Sequence, residues 1–289
     1  MIRRPPPAIE RMTPTSSALP AIAFIGGGNM ARALIGGLLR SGAKPAAIHV
    51  SEPQAAGRER LAAEFGINVT ADNADAAAKA GVWVLATKPQ VLRGVCEALA
   101  PLAQERRPLL VSIAAGITSA QIDRWLGGGI AVVRSMPNTP ALLGAGVTGL
   151  CATAAVVPAQ RALAERLLEP AGRTVWIAEE ALMDAVTATS GSGPAYVFLL
   201  AEALQAAAEA EGLPAEAART LVVETIAGAA RMLKESGEDA ATLRQRVTSP
   251  NGTTQAALEA LAAGGFARLV GAAVHAARIR GAELSAAHD

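Results

Sequence analysis

Three glycines at positions 26–28 follow the apolar run Ala21-Ile22-Ala23-Phe24-Ile25, and Asn29, Met30 and Ala31 open a helix-like segment behind them. The spacing Gly26-x-Gly28-x-x-Ala31 suits a strand, a tight turn and a helix start. Gly26 tolerates backbone angles that a Cβ would oppose, Gly28 lets a phosphate approach the main chain, and Ala31 keeps helix and sheet close. Unpaired N–H groups and the helix dipole at such a turn favour an anion, and the pattern reads as a dinucleotide site. A glycine turn can also be purely structural, so the residues around it decide.

Glu52 ends the second predicted strand, where a carboxylate can bond a ribose 2′-hydroxyl and repel a 2′-phosphate. That leans towards NADH. Arg58 and Arg60 nearby could accept a 2′-phosphate or serve as solvated helix charges. Thr87-Lys88-Pro89-Gln90 follows a fourth strand, at the sheet edge where such folds bind ligands, and Lys88 could face cofactor phosphates or ribose. The small-residue turn Ala114-Ala115-Gly116 lets a nicotinamide half pass close to main chain. The loop Arg134-Ser135-Met136-Pro137-Asn138-Thr139-Pro140 is held rigid by two prolines. Two further loops each enter a helix: Thr189-Ser190-Gly191-Ser192-Gly193-Pro194-Ala195-Tyr196 and Thr248-Ser249-Pro250-Asn251-Gly252-Thr253-Thr254. The first reads as an anion-friendly helix start or an elaborate N-cap. In the second, Asn251 and Gly252 tolerate left-handed angles, so successive N–H groups could form a nest for a carboxylate.

His49, His275 and His288 are scattered, no nucleophile stands beside a base, and no set of side chains has metal-ligand spacing. The chemistry implied is one of positioning more than of acid–base power. Cys96 and Cys151 lie far apart outside any C-x-x-C pattern and read as reduced, buried thiols.

The elements that must hold these residues follow from periodicity. Predicted strands at 21–25, 47–50, 67–70, 82–86, 109–113, 130–134, 149–152 and 175–177 alternate with helices such as 29–40, 54–65 and 91–102. This is an α/β pattern: an N-terminal Rossmann-like, doubly wound sheet over 21–178. From residue 179 to 289 only helices are predicted, at 181–189, 194–211, 214–235, 239–247, 254–263 and 266–287. Helices 194–211 and 214–235 are apolar on more than one face, and a homodimer with interlocked helices would bury them. Residues 1–20 read as a disordered tail with no apolar signal core, and Met12 is an alternative start.

A chain of 289 residues with 51% hydrophobic content can bury a sizeable core in one or two domains. A formal net charge of +1 and 3% aromatic residues argue against nucleic acid or an anionic membrane as partners. The longest strongly apolar stretch, Ala195–Ala201, is too short to span a bilayer, and a cytoplasmic location is expected.

Taken together, the segments F-I-G-G-G-N-M-A, K-P-Q, S-I-A-A-G-I, M-P-N-T-P-A, S-G-S-G-P-A-Y and V-T-S-P-N-G-T-T occur in an order that resembles the pyrroline-5-carboxylate reductase family over about residues 20–285. The resemblance implies reduction of 1-pyrroline-5-carboxylate to L-proline with NADPH or NADH, the last step of proline biosynthesis. It implies that Gly26, Gly27, Gly28, Asn29, Met30, Ala31, Asn73, Ala86, Thr87, Lys88 and Pro89 contact the dinucleotide, alongside Glu52 and Ala115. Ser249, Asn251, Gly252, Thr253 and Thr254 would hold the substrate, with main-chain N–H groups on its carboxylate and the Thr254 hydroxyl near its ring nitrogen as the catalytic group. It also implies dimers through the C-terminal helices, often built into rings. Asn251 replaces a second glycine found in many members, and Glu52 stands where NADPH users often carry a small hydroxyl residue. A β-hydroxyacid reductase would need a catalytic lysine in the helical region, whereas the only lysine beyond residue 180 is Lys234. A non-catalytic nucleotide-binding scaffold would keep the glycine turn with no need of the 249–254 loop.

Overall fold

The computed structural model describes residues 19–287. The tail expected over 1–20 lies outside this range except for its last two residues, and Leu19 packs partly buried against the core. One sheet organises the first part of the chain. Its strands, β1 (Ile22–Ile25), β2 (Ile48–Ser51), β3 (Asn68–Thr70), β4 (Val82–Leu85), β5 (Leu109–Ser112), β6 (Ala131–Met136), β7 (Gly146–Ala152) and β8 (Gly172–Trp176), lie in the order β3-β2-β1-β4-β5-β6-β7-β8. The first six are parallel, the order of a doubly wound dinucleotide fold. β7 runs antiparallel to β6, and β8 runs parallel to β7.

Alternation within the buried strands divides the core into two layers. Ile22, Phe24, Val82, Val84, Leu109 and Val111 face one side with Leu34, Ile35 and Leu38 of α1 (Asn29–Arg40). α2 (Ala55–Phe65) adds Leu61 to this layer. Ala23, Ile25, Trp83, Leu85 and Leu110 face the other side. There they meet α3 (Asn73–Ala78), α4 (Pro89–Arg106) and α5 (Ser119–Trp125) through Ala77, Leu92, Cys96, Leu99 and Ile122. Helix α4 is longer at both ends than its apolar pattern predicts, with Pro89 in its first turn, where a missing N–H costs nothing. α5 and α6 (Pro158–Leu168) lie where no helix is predicted from the sequence. α5 is instead set by a capping box: Thr118 Oγ1 accepts from the Gln121 N–H, and Gln121 Oε1 accepts from the Thr118 N–H.

After β8 the chain is helical: α7 (Met183–Val186), α8 (Gly193–Ala210), α9 (Ala215–Glu235), α10 (Ala240–Arg246), α11 (Thr253–Ala263) and α12 (Phe266–Ala286). The helix expected over 181–189 is broken into a single 3₁₀ turn, α7 and a π-helical turn at Thr187–Gly191. α8 and α9 pack on each other, and neither α8 nor α11 buries a single residue within the protomer. α12 packs back on α7 and the π turn, and its end reaches the first part of the chain. Its Ser285 carbonyl accepts from Gln121 Nε2 at 3.0 Å, and Leu284 packs over Gly116, which has a φ of +71°. Among the described residues no single helix is long and apolar enough to cross a membrane.

Candidate active site

The parallel register decides which predicted residues meet. Ile25 is level with Ser51 and Leu85, Ser51 with Thr70, and Leu85 with Ser112. The residues just beyond them therefore share the carboxyl edge of the sheet, where open α/β sheets take ligands. Gly26–Ala31, Glu52, Asn73, Ala86–Pro89 and Ala115 are all there, brought together from five strand ends.

The glycines have separate tasks. Gly26 has a φ of +106°, and a Cβ on it would stand 2.7 Å from the Ala86 carbonyl oxygen, so the turn and the end of β4 can touch only without a side chain. Gly27 backs onto Leu61, where a Cβ would come within 2.6 Å of Cδ1. A Cβ on Gly28 would meet nothing within 4 Å, because that residue faces open space at the start of α1. Its N-cap position has no side-chain partner for the helix's first N–H groups. A cavity of about 210 Å³ opens beside it, lined by Gly27, Gly28, Asn29, Arg32, Glu52, Gln54, Gly57, Arg60 and Leu61.

Glu52 is wired into this cradle. Its Oε2 accepts from the Gly27 N–H at 3.3 Å and its Oε1 from the Gln54 N–H at 3.0 Å. Arg58 donates to the Glu52 and Pro53 carbonyls, both at 2.8 Å, so it braces the loop. Arg60 is exposed and lines the cavity, and Arg32 pairs with Glu64. Asp72 caps α3 through the Ala74 and Asp75 N–H groups and leaves Asn73 half-buried at the sheet edge. The Thr87 hydroxyl is buried with no partner, Lys88 is exposed, and Ala115 is exposed at the end of β5. An elongated, phosphate-bearing ligand fits these features: free helix N–H groups, a cleft that Gly28 keeps open, an orphan hydroxyl and a carboxylate at the far end.

The second set of predicted residues forms the loop between α10 and α11. Asn251 takes the left-handed conformation expected of it, with a φ of +57°. Two N–H groups already have partners in the loop: Asn251 donates to Gln255 Oε1 at 2.8 Å, and Gly252 to the Ser249 carbonyl at 3.1 Å. Those of Thr253 and Thr254 fall in the first turn of α11, which leaves them without an intrahelical acceptor. Ser249, Asn251 and Thr253 are exposed, and Gly252 and Thr254 are half-buried. The loop thus offers donors towards solvent, at the head of a helix that packs on α12 and on no strand in the same protomer to any large extent. Gln255 was not a predicted site residue; its place one turn past Asn251 is the signal that could have found it.

A polar framework that sequence reasoning left unassigned joins β6, α5 and the segment after β8. Arg134, at 4% exposure, pairs with Glu180 and Asp184, both at 3.4 Å. Glu180 also accepts from the Ser119 N–H and hydroxyl, both at 2.5 Å. The hydroxyls of the 189–196 segment do not cap α8: Ser190 donates back to the Val186 carbonyl, and the N-cap Ser192 makes no side-chain capping bond. Cys96 and Cys151 are free and buried, and burial pushes the Cys96 thiol up to about 12. No cluster of candidate metal ligands exists among the described residues.

Residues 180–284 match the family model described as pyrroline-5-carboxylate reductase dimerisation, and residues 21–116 match that of NADP oxidoreductase, coenzyme F420-dependent. A pyrroline-5-carboxylate reductase of Pseudomonas aeruginosa is 52% identical over 266 residues, covering 92% of this chain and 97% of that one. The structure of a pyrroline-5-carboxylate reductase from Coxiella burnetii superposes with a TM-score of 0.89 at 42% identity, covering 92% and 99% of the two chains. That of Plasmodium falciparum pyrroline carboxylate reductase with NADP bound gives 0.81 at 29% identity, covering 92% and 98%. With a relative this similar along nearly its full length, the chain belongs to the pyrroline-5-carboxylate reductase family.

Proposed function

We propose that this protein reduces 1-pyrroline-5-carboxylate to L-proline with NAD(P)H, the last step of proline biosynthesis. The observation that carries the reading is the left-handed Asn251 at the head of α11. It turns the Thr253 and Thr254 N–H groups outward beside the Thr254 hydroxyl, a set that suits a carboxylate next to a ring nitrogen. The substrate is a cyclic imine, and its protonated form is already electrophilic at carbon. When bound, the reduced nicotinamide supplies a hydride to that carbon.

The chain's own residues have to bind and align. In this reading Gly26–Ala31 hold the pyrophosphate, and Glu52 faces the adenosine ribose. Asn73, Ala86–Pro89 and Ala115 follow the cofactor along the sheet edge. The N–H groups of Thr253 and Thr254 take the substrate carboxylate, and the Gln255 side chain releases the Asn251 N–H as a further donor. Ser249 and Gly252 keep the loop's shape, and the Thr254 hydroxyl orients the ring nitrogen or relays its proton. Alignment of this kind can lower a barrier by roughly 7–11 kcal/mol, so the lack of a strong general acid is no obstacle.

The assembly is a homodimer. We place its interface on the C-terminal helices and allow a ring of dimers, with residues 21–178 as the dinucleotide domain and 179–289 as the dimerisation and substrate domain. Neither nucleic acid nor a membrane enters this reading, and we place the enzyme in the cytoplasm. The test is the loss of near-ultraviolet absorbance of NADH or NADPH on addition of pyrroline-5-carboxylate. Oxidation with either cofactor is expected; none with both would leave a dinucleotide-binding scaffold.

A further inference from the structure

The π-helical turn at Thr187–Gly191 joins α7 to α8, and the sequence gives no periodic reason for it. Its wide ring is closed by the Ser192 N–H donating to the Thr187 carbonyl at 2.8 Å. Such turns hold weaker hydrogen-bond geometry than an α-helix and persist where the surroundings over-determine them. Here the surroundings come from the carboxyl edge of the sheet. Gly149 of β7 makes room for Val186, and a Cβ there would stand 2.5 Å from its Cγ1. Gly191 lies against Met136 at the end of β6, where a Cβ would stand 2.6 Å from Cε.

The polar link is Asn138, which is only 9% exposed. Its Oδ1 accepts from the Val147 N–H and its Nδ2 donates to the Ser190 carbonyl, each at 3.0 Å. One partner is a donor and the other an acceptor, so the amide orientation is fixed and neither Asp nor Leu can replace both bonds. The two bonds tie the loop after β6 to β7 on one side and to the π turn on the other. α8 starts two residues beyond the turn.

We infer that Asn138 is a positioning residue for the imine reduction: through the Ser190 carbonyl it sets the π turn, and with it the first turn of α8, against the ligand-binding edge of the sheet. Both ends of its amide are already taken by main-chain partners, so it acts through them. Its effect is on alignment, so its loss lowers kcat and leaves dinucleotide affinity in place. The role rests on the reductase reading, which wild-type turnover tests by itself.

The chain contains one tyrosine, and it reports on this turn: the Tyr196 hydroxyl donates to the Ala188 carbonyl at 3.0 Å. Protein made with fluorotyrosine therefore gives a single fluorine NMR line from the π turn, with no turnover needed. In Asn138→Asp the bond from Val147 is kept, while a carboxylate oxygen faces the Ser190 carbonyl. The expected result is a cooperative melt like the wild type's, a shifted or broadened fluorine line, and a kcat lowered about tenfold or more. The Kd for NADH, from nicotinamide fluorescence, and the KM for pyrroline-5-carboxylate should each stay within about twofold. Asn138→Ala gives the same reading if the aspartate variant fails to fold. An unmoved fluorine line, a kcat within about twofold of wild type, or a loss carried by KM or Kd alone would each overturn the proposal.

Discussion

Asn251 has a φ of +57°, an angle that few side chains tolerate, and it decides where the next residues point. Thr254 sits three residues on, half-buried in the first turn of α11, where its hydroxyl is not needed to cap the helix because Gly252 holds that position. Its proposed work is therefore separable from folding. Thr254→Ala, which keeps a good helix former in place, should lower kcat/KM by about a hundredfold at an unchanged melting temperature, and Thr254→Ser should recover most of the loss. Kinetics of the alanine variant equal to wild type would remove Thr254 from the reaction. Glu52 presents the opposite case, since its carboxylate spans the Gly27 and Gln54 N–H groups and thus shapes the cradle as well as its charge. A 2′-phosphate brought beside that carboxylate is repelled. Glu52→Ser should raise the ratio of kcat/KM for NADPH over NADH by about tenfold or more. An unaltered ratio would show that the cavity's arginines, Arg60 above all, already offset the carboxylate.

At the scale of elements, Arg134 shows what joins the sheet to the helices. Its buried guanidinium meets Glu180 and Asp184, and Glu180 is held in turn by Ser119 at the head of α5. Arg134→Leu leaves two carboxylates facing each other without their cation and should cost about 3–5 kcal/mol in urea unfolding. A cost below about 1 kcal/mol would mean that the pair contributes no more than an exposed one. This network also marks the limit of what the sequence discloses. Strand and helix positions were legible because Val82–Leu85 or Leu34–Leu38 show their burial locally, in their own periodicity. The glycine turn and the 249–254 loop were legible because their residue types restrict φ. α5 was missed because a capping box sets it, with only Ile122 and Trp125 as large apolar anchors. The π turn was missed because its cause lies in Asn138, Met136 and Gly149, far away in sequence. Contacts of that range leave no mark on local spacing.

For the whole molecule the unresolved force is apolar surface. Phe198 is 66% exposed and Leu199 65%, both on α8, and Leu221, Val223, Met232 and Leu233 on α9 are each exposed by half or more. Two helices that pack mainly on each other cannot shield such a surface, and a patch of this kind in water drives association. A second copy suits it, because the matched family model over 180–284 is one of dimerisation and α8 and α9 make up much of that range. The 249–254 loop belongs to the same helical unit and faces solvent within its own protomer, so pairing is also what can give it a wall. Stability and activity should then fall together when the patch is charged. Phe198→Glu combined with Leu199→Glu should convert the dimer to monomer in sedimentation, lower the melting temperature, and abolish turnover. NADH binding to the sheet edge, measured by fluorescence, should be kept, since no strand end is touched. A variant that stays dimeric with both glutamates would move the interface off α8. A monomer with full turnover would show that each protomer completes its own site, and the exposed loop at Asn251 would then have to close on the sheet of the same chain.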